Sequence, residues 1–363
     1  MGDRRIDFTD KLGRLAALGT EQGLESLVLR TPASLTWLLG ARVHVPQTLD
    51  SACLDVVVDL SGQTPTATVV TNTIEAPRLR DTELSGLDVD WRIVPWWQPR
   101  DSVLPTGPTV GSDGSVARTI DVAVQVATLR RVLTMHQQAL LAHLCSDAAS
   151  AATEAAYTIS PDMTEYAAAA VLAAALLGRG LDPIVLMVAG DDRRREHRHP
   201  LPTDAPIGHR AMLVCCARRH GLVASVTRLV AFGDLRAEEK AHYRALLEVE
   251  RAFLDASMPG VRLGDAFASG TAAYGANGFE PGEWHRHHQG GFSGLQPREF
   301  PAHHGSDAVV PAGSVLAWNP SAAGWKVEDT AVIRPHGAQV LVHDPSWPVV
   351  NVGGRHRPGV LVR

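Results

Sequence analysis

The sequence predicts a mixed α/β (α+β) protein built as two domains. Three observations carry that expectation. A chain of 363 residues exceeds what a single core usually serves. Strand-like and helix-like stretches alternate over roughly the first 115 residues. A segment dense in breakers follows, with Pro105, Gly107, Pro108, Gly111 and Gly114, and it reads as a linker or an edge connection. The domains are expected at residues 1–118 and 119–363. Hydrophobic residues at 45% and charged residues at 20% allow a sizeable core and argue against disorder. A formal net charge of −5 gives no reason to expect nucleic acid or an anionic membrane as partner.

In chain order, Phe8, Leu12, Leu15 and Leu18 fall at helical spacing and predict a helix over residues 8–23. Residues 27–29, 54–60, 67–70 and 89–94 read as strands. Leu129, Val132, Leu133, Leu140, Leu141 and Leu144 give an apolar stripe to a long helix over residues 122–155, with a break allowed. Asp162 or Thr164 can cap the next helix, and Asp162 with Glu165 fits a capping box. Gly178 and Gly180 end it. Strands are expected over residues 184–188, 212–216 and 222–232, and helices over 236–257 and 263–277. Strands return over residues 314–318, 326–333 and 339–343.

The polar N-terminus lacks the apolar core of a secretion signal, and no run of 18 apolar residues occurs. Cys53, Cys145, Cys215 and Cys216 have no C-x-x-C spacing, and adjacent strand residues point to opposite faces. A cytoplasmic protein with reduced thiols is the expectation.

The chemistry concentrates between Trp284 and Ile333. Five histidines cluster there, His285, His287, His288, His303 and His304, with Gly290 and Gly291 following the first group. Glu328 and Asp329 lie in a strand-like segment beyond. Histidine near glycine, then a strand with an inward acid, suggests a β-lined hydrolase cleft. A histidine is the natural proton carrier near neutral pH.

Seven short motifs in order resemble the pita-bread metallopeptidases: methionyl aminopeptidase, Xaa-Pro peptidases and their metal-free relative creatinase. Pro161-Asp162-Met163-Thr164-Glu165 precedes a helix, and His199-Pro200-Leu201-Pro202-Thr203-Asp204 looks like H-x-x-P-T-D. Val214 through Arg228 looks like D-x-G-A…S-D-x-T-R, and Met258-Pro259-Gly260-Val261 like L-x-P-G-V. His288-Gln289-Gly290-Gly291 stands at the histidine–glycine motif. Ala317-Trp318-Asn319-Pro320 looks like T-I-E-P, and Lys326-Val327-Glu328-Asp329-Thr330 like R-I-E-D-T. The first domain is similar to the one preceding Xaa-Pro peptidases and creatinase. The resemblance implies a creatinase/prolidase-like α/β domain followed by a pita-bread domain.

The family's peptidases hold two metals with two aspartates, a histidine and two glutamates. Carried over, these positions fall on Val214, Ser225, His288, Asn319 and Glu328. Only His288 and Glu328 keep their ligand type, and a two-metal clamp needs bridging carboxylates. No metal and no other cofactor is expected. The implied activity is metal-independent, creatinase-like hydrolysis (or elimination) at a C–N bond of a small amino-acid-derived or peptide-like substrate. His199, His288 and Glu328 are the expected catalytic residues, with His199 as acid/base by resemblance. Asn319, Arg298, Lys326, His287, Ser225 and Arg228 are expected to bind substrate. Asn319 can donate to a carboxylate or oxyanion, and Arg298 can grip a carboxylate with its fork. The alternatives are a silent peptidase-like binding protein and a one-metal Xaa-Pro aminopeptidase with replaced ligands. His285, His303 and His304 read better as surface or rim residues. Cys215 and Cys216 read as core thiols rather than zinc ligands with His220. The resemblance also implies a homodimer, with the first helix and the loop over residues 40–50 near the partner's pocket.

Overall fold

The computed structural model describes residues 2–45 and 52–363. The loop expected to approach a partner therefore lies partly outside the described residues. The chain divides into two compact units, Met1–His136 and Gln137–Arg363. The breaker-rich segment and a short helix beyond it both fall inside the first unit.

In the first unit, helix α1 (Gly2–Gln22) buries Phe8, Leu12, Leu15 and Leu18, the face its spacing predicts. It is followed by β1 (Ser26–Leu29) and α2 (Pro32–Leu39). Thr31 caps α2 by accepting from Ser34 N, Pro32 sits at its first position, and Gly40 ends it at φ 57°. Then come β2 (Leu54–Asp59), β3 (Thr66–Asn72), the short turn α3 (Ala76–Arg78) and β4 (Asp90–Val94). Strands β5 (Val110–Ser112) and β6 (Ile120–Asp121) and helix α4 (Ala123–Arg130) complete the unit. The sheet order is β4-β3-β2-β1-β5-β6. Strand β5 runs through the segment that reads as a linker and pairs parallel to β1. Its Gly111 reflects packing: a Cβ there would lie 2.7 Å from Leu24 Cδ1 and 2.8 Å from Leu27 Cδ2.

The long helix expected over residues 122–155 is two helices, α4 and α5 (Met135–Thr158). Next come α6 (Glu165–Leu177), β7 (Asp182–Ala189), α7 (Arg193–Glu196), β8 (Arg210–Arg219) and β9 (Leu222–Ala231). Two helices, α8 (Ala237–Ala256) and α9 (Leu263–Ala276), precede β10 (Gly290–Ser293), β11 (Phe300–Pro301) and β12 (Val315–Trp318). A small hairpin, β13 (Ser321–Ala322) with β14 (Trp325–Lys326), leads into β15 (Asp329–Arg334) and β16 (Gly337–Val340). Strands β17 (Val349–Val352), β18 (Arg355–Pro358) and β19 (Leu361–Val362) close the chain.

The large sheet runs β11-β10-β12-β15-β9-β8-β7, with β16 on β15 and β19 on β9. Its core joins α8 and α9 to the sheet through Phe253, stacked on Trp318 with ring centroids 4.6 Å apart. Glycine lets the strands near the site meet. At Gly290 (φ 111°) a Cβ would lie 2.1 Å from Ala317 O, and at Gly291 (φ 144°) 2.2 Å from Phe300 O. A buried charge network ties the same region together. Arg228 Nη1 donates to Asp329 Oδ1 at 2.8 Å, and Arg357 bridges Asp329 Oδ2 at 2.9 Å and Glu250 Oε2 at 2.6 Å.

Candidate active site

One buried carboxylate hangs the loop that carries His199. Glu165, fully buried at the start of α6, accepts from Gly190 N (3.0 Å), Arg193 Nε (2.9 Å), Thr203 N (2.9 Å) and Thr203 Oγ1 (2.8 Å). It thereby holds both ends of residues 190–203. The capping box expected from Asp162 and Glu165 does not form. Thr164 alone caps α6, accepting from Ala167 N at 3.1 Å, because Glu165 is drawn inward by these donors. Within the loop, Arg198 ion-pairs with Glu283 in the 3₁₀ turn before His287, and Arg194 Nη1 donates to Gly324 O at 2.7 Å. These contacts bring His199 against the segment leading into β10.

Three imidazoles meet there. His199 Nε2 and His287 Nε2 are 3.0 Å apart, a hydrogen bond whose donor is set by the tautomers of the two rings. His287 Nδ1 lies 3.1 Å from Ser321 Oγ, and Ser321 N is held by Tyr274 OH at 3.0 Å. The His288 ring lies 4.6 Å from that of His287 and 5.6 Å from that of His199, centroid to centroid. His287 is buried, whereas His199 and His288 reach solvent. Burial, reinforced by the Lys326 ammonium, pushes the His287 imidazolium down to about 2. Burial, with Arg298, lowers His288 to about 4, and burial with Lys326 lowers His199. All three are neutral bases near pH 7.

The sheet places the remaining residues by register. Val214 faces Thr227 and Cys216 faces Ser225 across β8 and β9, so these four side chains share one face. Lys326 Nζ reaches that face, donating to Thr227 Oγ1 at 3.2 Å and to Glu328 Oε2 at 2.5 Å. Arg298 Nη2 takes the other oxygen of Glu328. Burial alone would raise the Glu328 carboxyl, but the two cations outweigh it and hold it down to about 2. Arg298 Nε and Asn319 Oδ1 are buried polar atoms without a hydrogen-bond partner. Ser225 is wholly buried; its amide donates to Thr330 Oγ1 at 2.8 Å and its hydroxyl lies 3.5 Å from Cys216 Sγ.

Arg228 stays out of this cluster. It alternates to the opposite face of β9 from Thr227 and is consumed by Asp329. Cys215 and Cys216 are buried free thiols, both pushed up by burial, to about 12 and about 11. His285, His303 and His304 are exposed. Among the described residues, His199, His287 and His288 are the group of potential metal ligands that converges.

The residues at the family's metal positions do not fit two metals. Val214 offers no lone pair, Ser225 is sealed beneath the surface, and Asn319 is neutral. Both oxygens of Glu328 are already occupied by cations that would repel a divalent ion. Sequence reasoning expected His287 to bind substrate; in the structure it is the joint between His199 and Ser321. Residues 88 and 34 positions away supply these partners, so no local signal marks that role.

The fold is that of the prolidase-like pita-bread proteins. The structure matches dipeptidase PepE from Mycobacterium ulcerans at TM-score 0.76 and 20% identity, over 99% of this chain and 98% of that one. It matches the Xaa-Pro dipeptidase from Bacillus anthracis at TM-score 0.76 and 17% identity, over 98% of this chain and all of the other (100%). Residues 140–335 match the model of metallopeptidase family M24, and the chain belongs to that family. The Bacillus subtilis protein YkvY is 23% identical over 173 residues, 46% of this chain and 47% of that protein. The match thus spans about half the length of that curated relative. Among the described residues, no helix is long and apolar enough to cross a membrane.

Proposed function

We propose that the chain hydrolyses a C–N bond in a small, carboxylate-bearing, peptide-like or amino-acid-derived substrate by metal-independent, creatinase-like chemistry. The observation that supports it most is the pairing of a neutral His199–His287 couple with two unsatisfied buried groups, Arg298 Nε and Asn319 Oδ1. An unmet donor and an unmet acceptor each suit a ligand group of the opposite kind, a carboxylate or carbonyl oxygen for the first and an N–H for the second. In this reading His199 takes a proton from water as its oxygen attacks the carbonyl carbon. The developing oxyanion is met by Lys326 and Arg298. The C–N bond breaks as the imidazolium returns the proton to the leaving nitrogen. Glu328, pinned by both cations, holds them in place and carries no proton.

The test is a panel of dipeptides, Xaa-Pro first, and of creatine-like and amino-acid-derived C–N compounds, assayed after exhaustive chelation. His199→Ala is expected to lower kcat by about 100-fold or more. Arg298→Gln is expected to raise KM by about tenfold, the loss of one charged hydrogen bond. Full activity of His199→Ala on an identified substrate overturns the assignment. The reading includes a homodimer: a solution mass near twice 38.9 kDa supports it, and a mass of 38.9 kDa overturns it.

A further inference from the structure

We infer that His199, His287 and His288 form a site for one divalent transition-metal ion that prefers imidazole, zinc or cobalt by class. Its ligand set differs from that of the two-metal centre that the family's peptidases hold. Under the reaction proposed above, on which this second part rests, the ion inhibits, because it takes the lone pairs His199 and His287 need for proton transfer.

Four features carry the site. First, one ligand atom from each of the three rings lies within 4.8 Å of the other two. The 3.0 Å between the Nε2 atoms of His199 and His287 suits two nitrogens bound to one ion. At metal–nitrogen distances of about 2.05 Å such a pair subtends about 94°. Second, the opposite nitrogen of His287 is anchored. Its Nδ1–H donates to Ser321 Oγ at 3.1 Å in the tautomer that leaves Nε2 bare, and Tyr274 OH fixes Ser321 in turn. An outer partner of this kind aims a metal-ligating histidine. Third, His287 lies buried behind two solvent-reaching rings, so the ion keeps an open position toward the cleft. Fourth, the ligand set selects the ion. Three neutral imidazoles and no free carboxylate reject hard cations such as magnesium and calcium. Lys326 and Arg298 against Glu328 leave one net positive charge nearby, which opposes any divalent ion and favours an anionic fourth ligand such as hydroxide to offset it.

The experiment uses the untagged, full-length protein, stripped with a chelator and then titrated with zinc and with cobalt. Binding of zinc is read by calorimetry and coordination of cobalt by its visible absorption. One equivalent per chain is expected, with a nitrogen/oxygen-type cobalt spectrum. His199→Ala and His288→Ala, both at exposed positions, should each weaken binding by at least about 100-fold. Ser321→Ala should weaken it by about tenfold, because it frees the His287 ring. No stoichiometric binding, affinity unchanged in both exposed-site variants, or a thiolate charge-transfer band from Cys215 or Cys216 would each overturn the site. Activity separates the two readings. Loss of turnover at one zinc equivalent supports both; activation by zinc keeps the site but sinks the inhibition and the metal-independent reaction. Turnover without any zinc binding sinks the site alone.

Discussion

Lys326 places an ammonium 2.5 Å from Glu328 Oε2, with both side chains buried. The carboxylate is tolerable there only because Lys326 and Arg298 together meet it. Lys326→Met should therefore cost about 3–5 kcal/mol of stability, the usual range when one partner of a buried pair is removed. Urea unfolding measures this, and a cost below about 1 kcal/mol would show the pair to be dispensable. The histidines make a second statement at this scale. Unfolded, each titrates near about 6.5; folded, burial holds His288 at about 4 and His287 at about 2. Between those values the unfolded chain binds more protons, so stability falls as pH drops below about 6.5. The His288 share of that loss is complete once the pH is under about 4. Urea midpoints should thus be lower at pH 5 than at pH 7.5, and His288→Asn should narrow the gap. Equal midpoints for the native chain would contradict imidazoles held neutral by the fold.

At the scale of elements, the site depends on two supports. One is the Glu165 carboxylate, which gathers Gly190, Arg193 and Thr203 around the start of α6. Glu165→Ala should release residues 190–205 while α6 and the sheet stay folded. Hydrogen exchange should then rise by about a hundredfold or more in that loop and little in β8 and β9. Uniform protection in the variant would count against the clamp. The other support is β10, wedged between β11 and β12 by its glycines. Gly290→Ala puts a methyl carbon onto Ala317 O and leaves a side chain at φ 111°. A cost of about 3 kcal/mol or more is expected from thermal unfolding, since neither neighbouring backbone can yield cheaply.

For the whole molecule, the parts legible in the sequence are those where burial follows a period. The helical stripe of Phe8, Leu12, Leu15 and Leu18 and the apolar runs that became β8 and β9 announced themselves this way. Strand β5 did not, because its Gly111 reads as a breaker while serving close packing against Leu24 and Leu27. The segment over residues 326–333 reads as one strand, but the β13–β14 hairpin takes Trp325 and Lys326 and leaves Glu328 at the joint before β15. In the site, His199, His287 and His288 come together as a group, with Arg298, Lys326 and Glu328 around them. What stayed hidden was which partner each side chain has. Glu165 looks like a helix-start acid until Thr203, 38 residues on, is seen to bind it. Arg228 sits in a motif beside Thr227, yet the period of two sends it to the other face, toward Asp329.

The two glycines of β10 set a limit on how this protein can change over time. At positions 290 and 291 any side chain would strike a neighbouring main chain, so substitution is closed off whatever reaction is catalysed. At 214, 225 and 319 the present valine, serine and asparagine are accommodated within the same framework. The framework and the reagents it displays are thus under separate constraints. A lineage can exchange the second without disturbing the first.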